Sequence, residues 1–177
     1  DQGADWVAQT QMIGQGDGTL LISPNGQTAL FDDGVYTNCT YIKTYLQGLG
    51  LTSVDYHFLS HYHADHLGCI DDLAAIGITV ATAGYDRGLS YSSGTYTAYV
   101  NTLGAKRTTI AKNQVITLDA GSANPVLIKC VDLNGAAAGH ELGRAAASRR
   151  RALRDVGREL RRLGNARTNT RELCKVS

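Results

Sequence analysis

A chain of 177 residues with 43% hydrophobic and 19% charged side chains has the length and composition of one ordinary folded domain with its own core, which excludes wholesale disorder and leaves little room for a second independent unit. No apolar run approaches the roughly 20 residues of a membrane-spanning helix, and the four cysteines, Cys39, Cys69, Cys130 and Cys174, form no C-x-x-C pair. That spacing argues against a zinc ribbon or a thioredoxin-like site and leaves room for an isolated disulfide. The net charge of +1 conceals an asymmetry: residues 1–134 carry 6 basic and 12 acidic side chains, and residues 135–177 carry 11 and 4.

In chain order, residues 6–13 and 19–23 read as strands, and Pro24-Asn25-Gly26 marks a turn before a third strand over 27–32. Residues 37–48 are predicted helical from the spacing of Tyr41, Tyr45 and Leu46, with Gly48 or Gly50 as the stop. A strand is predicted over 53–60, where Val54, Tyr56 and Phe58 alternate with Asp55, His57 and Leu59. Residues 66–76 then read as a helix, 78–82 as a strand, 84–99 as a polar loop running into a Tyr-bearing helix over 92–103, and Ile110, 114–118 and 126–131 as strand sequence. Such alternation of β and α predicts an α+β domain over 1–134, followed by an Ala/Arg-rich basic tail over 135–177.

The chemistry is concentrated in His61-Tyr62-His63-Ala64-Asp65-His66, between a predicted strand and a predicted helix. In extended backbone, alternate side chains share a side, so His61, His63 and Asp65 are expected to converge, with His66 arriving from the first turn of the next helix. Imidazole nitrogens and a carboxylate are the donor types that zinc accepts, with manganese or iron behind it, whereas magnesium or calcium call mostly for oxygen.

H-x-H-x-D-H after a hydrophobic strand resembles the signature of the metallo-β-lactamase superfamily, a four-layered αββα fold. The preceding stretch, residues 14–19 and then TLLISPNGQTALFDDG, is similar to the opening hairpins of the hydrolase-like domain of competence-type DNA-uptake channel proteins and their secreted relatives. The resemblance covers roughly residues 8–134, so the chain holds the N-terminal half of that fold and an atypical tail. It implies a zinc-dependent hydrolase in which His61 and His63 hold a first metal, Asp65 and His66 hold a second, and Asp33 supports the site from the end of a neighbouring strand. A metal pair about 3.5–4 Å apart would activate water between the ions. Asp65 would also orient that water, and Asp32 or Asp33 would fix imidazole tautomers. Phosphodiester substrates, small-molecule or nucleic-acid, follow from the same resemblance. Two zinc ions want about six protein ligands; the motif has four, and the later ligands the family draws from its second half have no counterpart here except, at a stretch, His140. The alternative reading is therefore a catalytically incomplete module that binds metal or nucleic acid.

Other signals have plainer readings. Residues 14–18 form a G-x-G-x-G turn bordering the expected cleft, where Asp17 shapes the turn or touches substrate. His57 is expected to be structural or exposed and Cys69 a small buried thiol near the site, while Tyr62 and Tyr85 stack on bases or fill core. In the tail, Leu153, Val156, Leu160 and Leu163 amid arginines describe a basic amphipathic helix that could bind nucleic-acid phosphates or an anionic membrane. The loss of every aromatic residue beyond Tyr99 and the sudden Ala/Gly/Arg bias also fit an altered reading frame in GC-rich DNA. Composition of the first part leans toward an exported protein, secreted or periplasmic.

Overall fold

The computed structural model describes residues 7–12 and 16–133. The tail over 135–177, with His140, lies outside the described residues, as do Gly14 and Gln15 of the glycine turn.

Six strands form the main sheet in the order β1-β2-β3-β4-β5-β6: β1 Val7–Met12, β2 Asp17–Ile22, β3 Thr28–Phe31, β4 Ser53–Phe58, β5 Thr79–Asp86 and β6 Arg107–Thr109. The first three pair antiparallel, joined between β2 and β3 by the expected Pro-Asn-Gly turn, with Gly26 at φ 88° where a side chain would be strained. From β3 to β6 the pairing is parallel, and each crossover of β3→β4, β4→β5 and β5→β6 carries one helix: α1 Cys39–Gly48, α2 Ile70–Ala75 and α3 Gly94–Leu103. A second sheet pairs β7 Val115–Leu118 with β8 Val126–Lys129, antiparallel.

The alternation along the strands explains the layering. Leu20, Leu30, Val54 and Val80 pack with Ile42 and Leu46 of α1, Ile70 and Leu73 of α2, and Tyr99 and Leu103 of α3. Their neighbours Leu21 and Ala29, together with Phe58, join Ile116, Leu118 and Ile128 of the second sheet in a separate core. Along β2 and β3 period-two side-chain placement sends one set to the helices and the other to the second sheet, and in β4 a register shift between Val54 and Tyr56 turns Phe58 to the opposite face from Val54. A helix layer and two sheets are three layers of an αββα sandwich; the fourth has no counterpart among the described residues.

Several elements differ from the sequence-based expectation: the strand expected over 126–131 ends at Lys129, and Ile110, read as strand sequence, follows the end of β6. The helix expected over 66–76 is only Ile70–Ala75. The segment before Ile70 is tied instead to the loop after β3, where Gly68 N–H donates to Gly34 O (2.8 Å) and Cys69 N–H to the Asp33 carboxylate (2.6 Å). Strand β4 ends at Phe58, two residues early, and β5 runs on to Asp86 into what reads as polar loop.

Candidate metal centre

Strands β3, β4 and β5 run parallel with Phe31, Phe58 and Tyr85 in register, so the loops that follow them leave the same sheet edge. Ligand sites of parallel sheets form at that carboxyl edge. The first loop delivers Asp32 and Asp33, and the second delivers Ser60 to His66.

The string His61–His66 is a chain of bends and turns, not extended backbone, yet its ligands converge. One donor atom each from His61, His63 and Asp65 falls within 4.8 Å of the others. His66 joins them from a turn and not from a helix: its ring centroid is 4.0 Å from that of His61, and its Nε2 is 3.8 Å from Asp65 Oδ2. His61 Nε2 and His63 Nδ1 are 3.2 Å apart. Two nitrogens at about 2.0–2.1 Å from one tetrahedral zinc stand roughly 3.3 Å apart, so this pair already has the spacing of two ligands of one ion.

Asp32 sets the ring orientations. The residue leaves β3 with φ 54°, in the left-handed region that Asp tolerates better than most side chains. Its carboxylate accepts hydrogen bonds from Ser60 N–H (2.7 Å), Ser60 O–H (2.7 Å) and His66 Nδ1–H (2.8 Å). Because Ser60 spends its single proton on Asp32, its oxygen accepts from His61 Nδ1, 3.0 Å away. Both rings are thereby left with Nε2 as the lone-pair nitrogen, facing His63 in one case and Asp65 in the other. Burial pulls His66 toward the neutral form, but the hydrogen bond and charge of Asp32, with Asp65 and Asp17 beyond, outweigh it and the pKa is raised. His61 goes the other way, lowered by burial and by the neighbouring His66 and His63.

Asp33, expected to support the site from the end of a neighbouring strand, follows β3 and is fully buried behind the His61–His66 loop. Its N–H donates to His66 O (2.8 Å), and its Oδ2 lies 3.1 Å from Nε2 of His57, which is equally buried. Burial raises the Asp33 pKa against the lowering pull of His57. His57 is thus structural. Gly16 packs on the motif so closely that a Cβ there would meet Asp65 O at 2.8 Å, which places Gly16 itself beside the site.

Cys69 is not a free thiol: it forms a disulfide with Cys39 at the start of α1. Sequence spacing held no signal for that pairing. Tyr62, 1% exposed, and Tyr85, which stacks on Phe58 (5.3 Å), are core residues and not stacking platforms. Among the described residues, no helix is long and apolar enough to cross a membrane.

These donors fit a transition-metal ion: two imidazoles and one carboxylate converge, His66 stands beside them, and the rings of His61 and His66 are held with Nε2 free by hydrogen bonds on Nδ1. No protein-family model and no curated protein sequence matches the chain. Solved structures do match in fold. A HARLDQ-motif mutant of the metallo-β-lactamase from Cronobacter sakazakii has a TM-score of 0.50 at 16% identity, covering 96% of this chain and 76% of that one. The metallo-β-lactamase SMB-1 bound to 2-mercaptoethanesulfonate has a TM-score of 0.47 at 13% identity, with 96% and 76% covered. The Flv1 flavodiiron core from Synechocystis has a TM-score of 0.45 at 15% identity, covering 86% of this chain and 51% of that one. The first of these likenesses spans nearly the whole chain, and the fold of this chain is the metallo-β-lactamase fold.

Proposed function

We propose that this chain is a metal-dependent hydrolase domain that binds zinc through His61, His63, Asp65 and His66 and cleaves an anionic ester, a phosphodiester by preference. The observation that carries the reading is the convergence of those donors with two imidazole tautomers preset, His66 by Asp32 and His61 by Ser60. When bound, the ion acidifies water toward neutral pH and polarises the scissile bond. The chain's own residues do the rest. Asp32 and Ser60 hold His61 and His66 with Nε2 available, and Asp65, half-buried beside His66, carries the only carboxylate of the cluster and is placed to orient a water. The preference for phosphodiesters rests on the sequence resemblance to DNA-uptake channel proteins, since one fold serves many ester chemistries. An oxidising compartment, secreted or periplasmic, suits the Cys39–Cys69 disulfide.

The described residues supply four donors, enough for one tetrahedral ion and short of a fully liganded pair. This favours, as a second reading, a metal-binding module without turnover. Metal analysis of the purified chain combined with an assay on bis(p-nitrophenyl) phosphate separates the two. Bound zinc with turnover, both lost in His63→Ala, supports the hydrolase. Bound zinc without turnover supports the module, iron or manganese in its place corrects the metal, and unchanged metal content in His63→Ala removes the ligand assignment.

A further inference from the structure

A third loop leaves the same carboxyl edge, after β5. Asp86 closes that strand with no exposed surface and gathers the surroundings. Its carboxylate accepts from Tyr62 O–H (3.0 Å), Tyr99 O–H (3.0 Å), Gly88 N–H (2.7 Å) and Arg107 Nε–H (2.6 Å). Tyr62 stands between His61 and His63. The hydrogen bonds of Asp86 therefore fix the root of the third loop relative to the histidines.

The loop then places Tyr91 beside the metal centre. Its ring centroid is 6.2 Å from that of His63, 6.1 Å from Tyr62 and 6.4 Å from Tyr96, yet the residue is 41% exposed. Tyr91 also lines an open groove of about 950 Å³ with Ser90, Ser92, Ser93, Gly94 and Thr97. The Arg87 guanidinium carbon sits 4.7 Å over the ring of Tyr62, which Tyr91 also contacts, and Arg87 Nε is enclosed without a hydrogen-bond partner among the described residues. An aromatic ring held at its edges by other rings and open to a shallow groove offers a flat π surface. The hydroxyl-rich rim disfavours an aliphatic chain, and the adjacent cation favours an anionic ligand.

We propose that Tyr91 is the substrate-selecting edge of the centre, taking a planar aromatic ring carried by an anionic ester whose charged head binds at His61, His63, Asp65 and His66. The inference rests on the hydrolase reading above. Phenylphosphonate and methylphosphonate have the same anionic head, are not hydrolysed and differ in the ring, so their affinities for the zinc-loaded full chain isolate the subsite. The phenyl compound binds roughly two- to tenfold more tightly, the range of an offset aromatic pair. Tyr91→Ala erases that preference and leaves methylphosphonate binding unchanged, while Tyr91→Phe retains it. Equal binding of both probes to the native chain, or a preference that survives in Tyr91→Ala, overturns the subsite and leaves the metal centre standing. If neither phosphonate binds, the anionic-ester reading fails and the subsite falls with it.

Discussion

Asp32 Oδ2 lies 2.8 Å from His66 Nδ1, and the same carboxylate holds both the N–H and the O–H of Ser60. One acidic side chain at the end of β3 thereby orients two imidazoles on the loop after β4. Outer partners of this kind typically carry 10- to 100-fold in metal affinity. Asp32→Asn keeps the volume and loses the charge, and it lowers zinc affinity by roughly that factor. Competition with a chromogenic chelator measures it; unchanged affinity would show that Asp32 serves only the fold.

Protons compete with the metal at His66. With its pKa raised above the ordinary 6.5, chiefly by Asp32 acting against burial, His66 holds its proton to higher pH than a free imidazole. That proton must leave before Nε2 can bind an ion. Zinc affinity therefore climbs with pH over a range displaced upward from that of an ordinary imidazole, by roughly tenfold per pH unit on the acidic side, and levels off once His66 is neutral. Calorimetry in buffers of different ionisation enthalpy reads the proton release, which is greater at pH 6 than at pH 8. Affinity that does not vary between those values would remove His66 from the ligand set.

The Cys39–Cys69 bridge closes a loop with a sequence separation of 30 and ties the start of α1 to the segment just after His66. A loop of that size is worth on the order of 3–4 kcal/mol through the unfolded chain. Cys39→Ser together with Cys69→Ser lowers the unfolding free energy by about that amount, measured by urea denaturation under non-reducing conditions. An undiminished midpoint would mean that the buried packing around the bridge, and not the covalent link, holds this segment.

Gly68 has no room for a side chain: a Cβ would lie 2.5 Å from Tyr36 N, 2.6 Å from Ala64 O and 2.7 Å from Gly34 O, all backbone atoms. Gly68→Ala must push the metal loop away from the loop after β3, and it costs several kcal/mol, as overpacking against rigid backbone does. Gly48→Ala, on α1 with nothing within 4 Å, is the control and leaves the melting temperature within about 2 °C. Equal melting temperatures for both variants would show that the two loops separate freely.

What the sequence determined by itself is local. Hydrophobic alternation along 53–58 and the donor types in His61–His66 are properties of a few adjacent residues, so the succession of strands and helices along the chain, the mixed architecture and the candidate ligands were legible without coordinates. The tertiary structure decided whatever depends on residues far apart. Asp32 and Asp33 are neighbours of identical type, and only the left-handed turn at Asp32 sends one carboxylate to His66 while the other is buried beside His57. Cys39 and Cys69 meet because α1 packs against the loop after β4, a closure that spacing does not encode. The segment before Ile70 is a loop whose Gly68 and Cys69 N–H groups bond partners some 34 to 36 residues away, contacts that local periodicity does not record. Tyr91 likewise reads as an ordinary loop tyrosine until the parallel register of β4 and β5 sets its loop beside His63. Side-chain period and ligand chemistry are written residue by residue; which loop meets which is settled only when the sheet assembles.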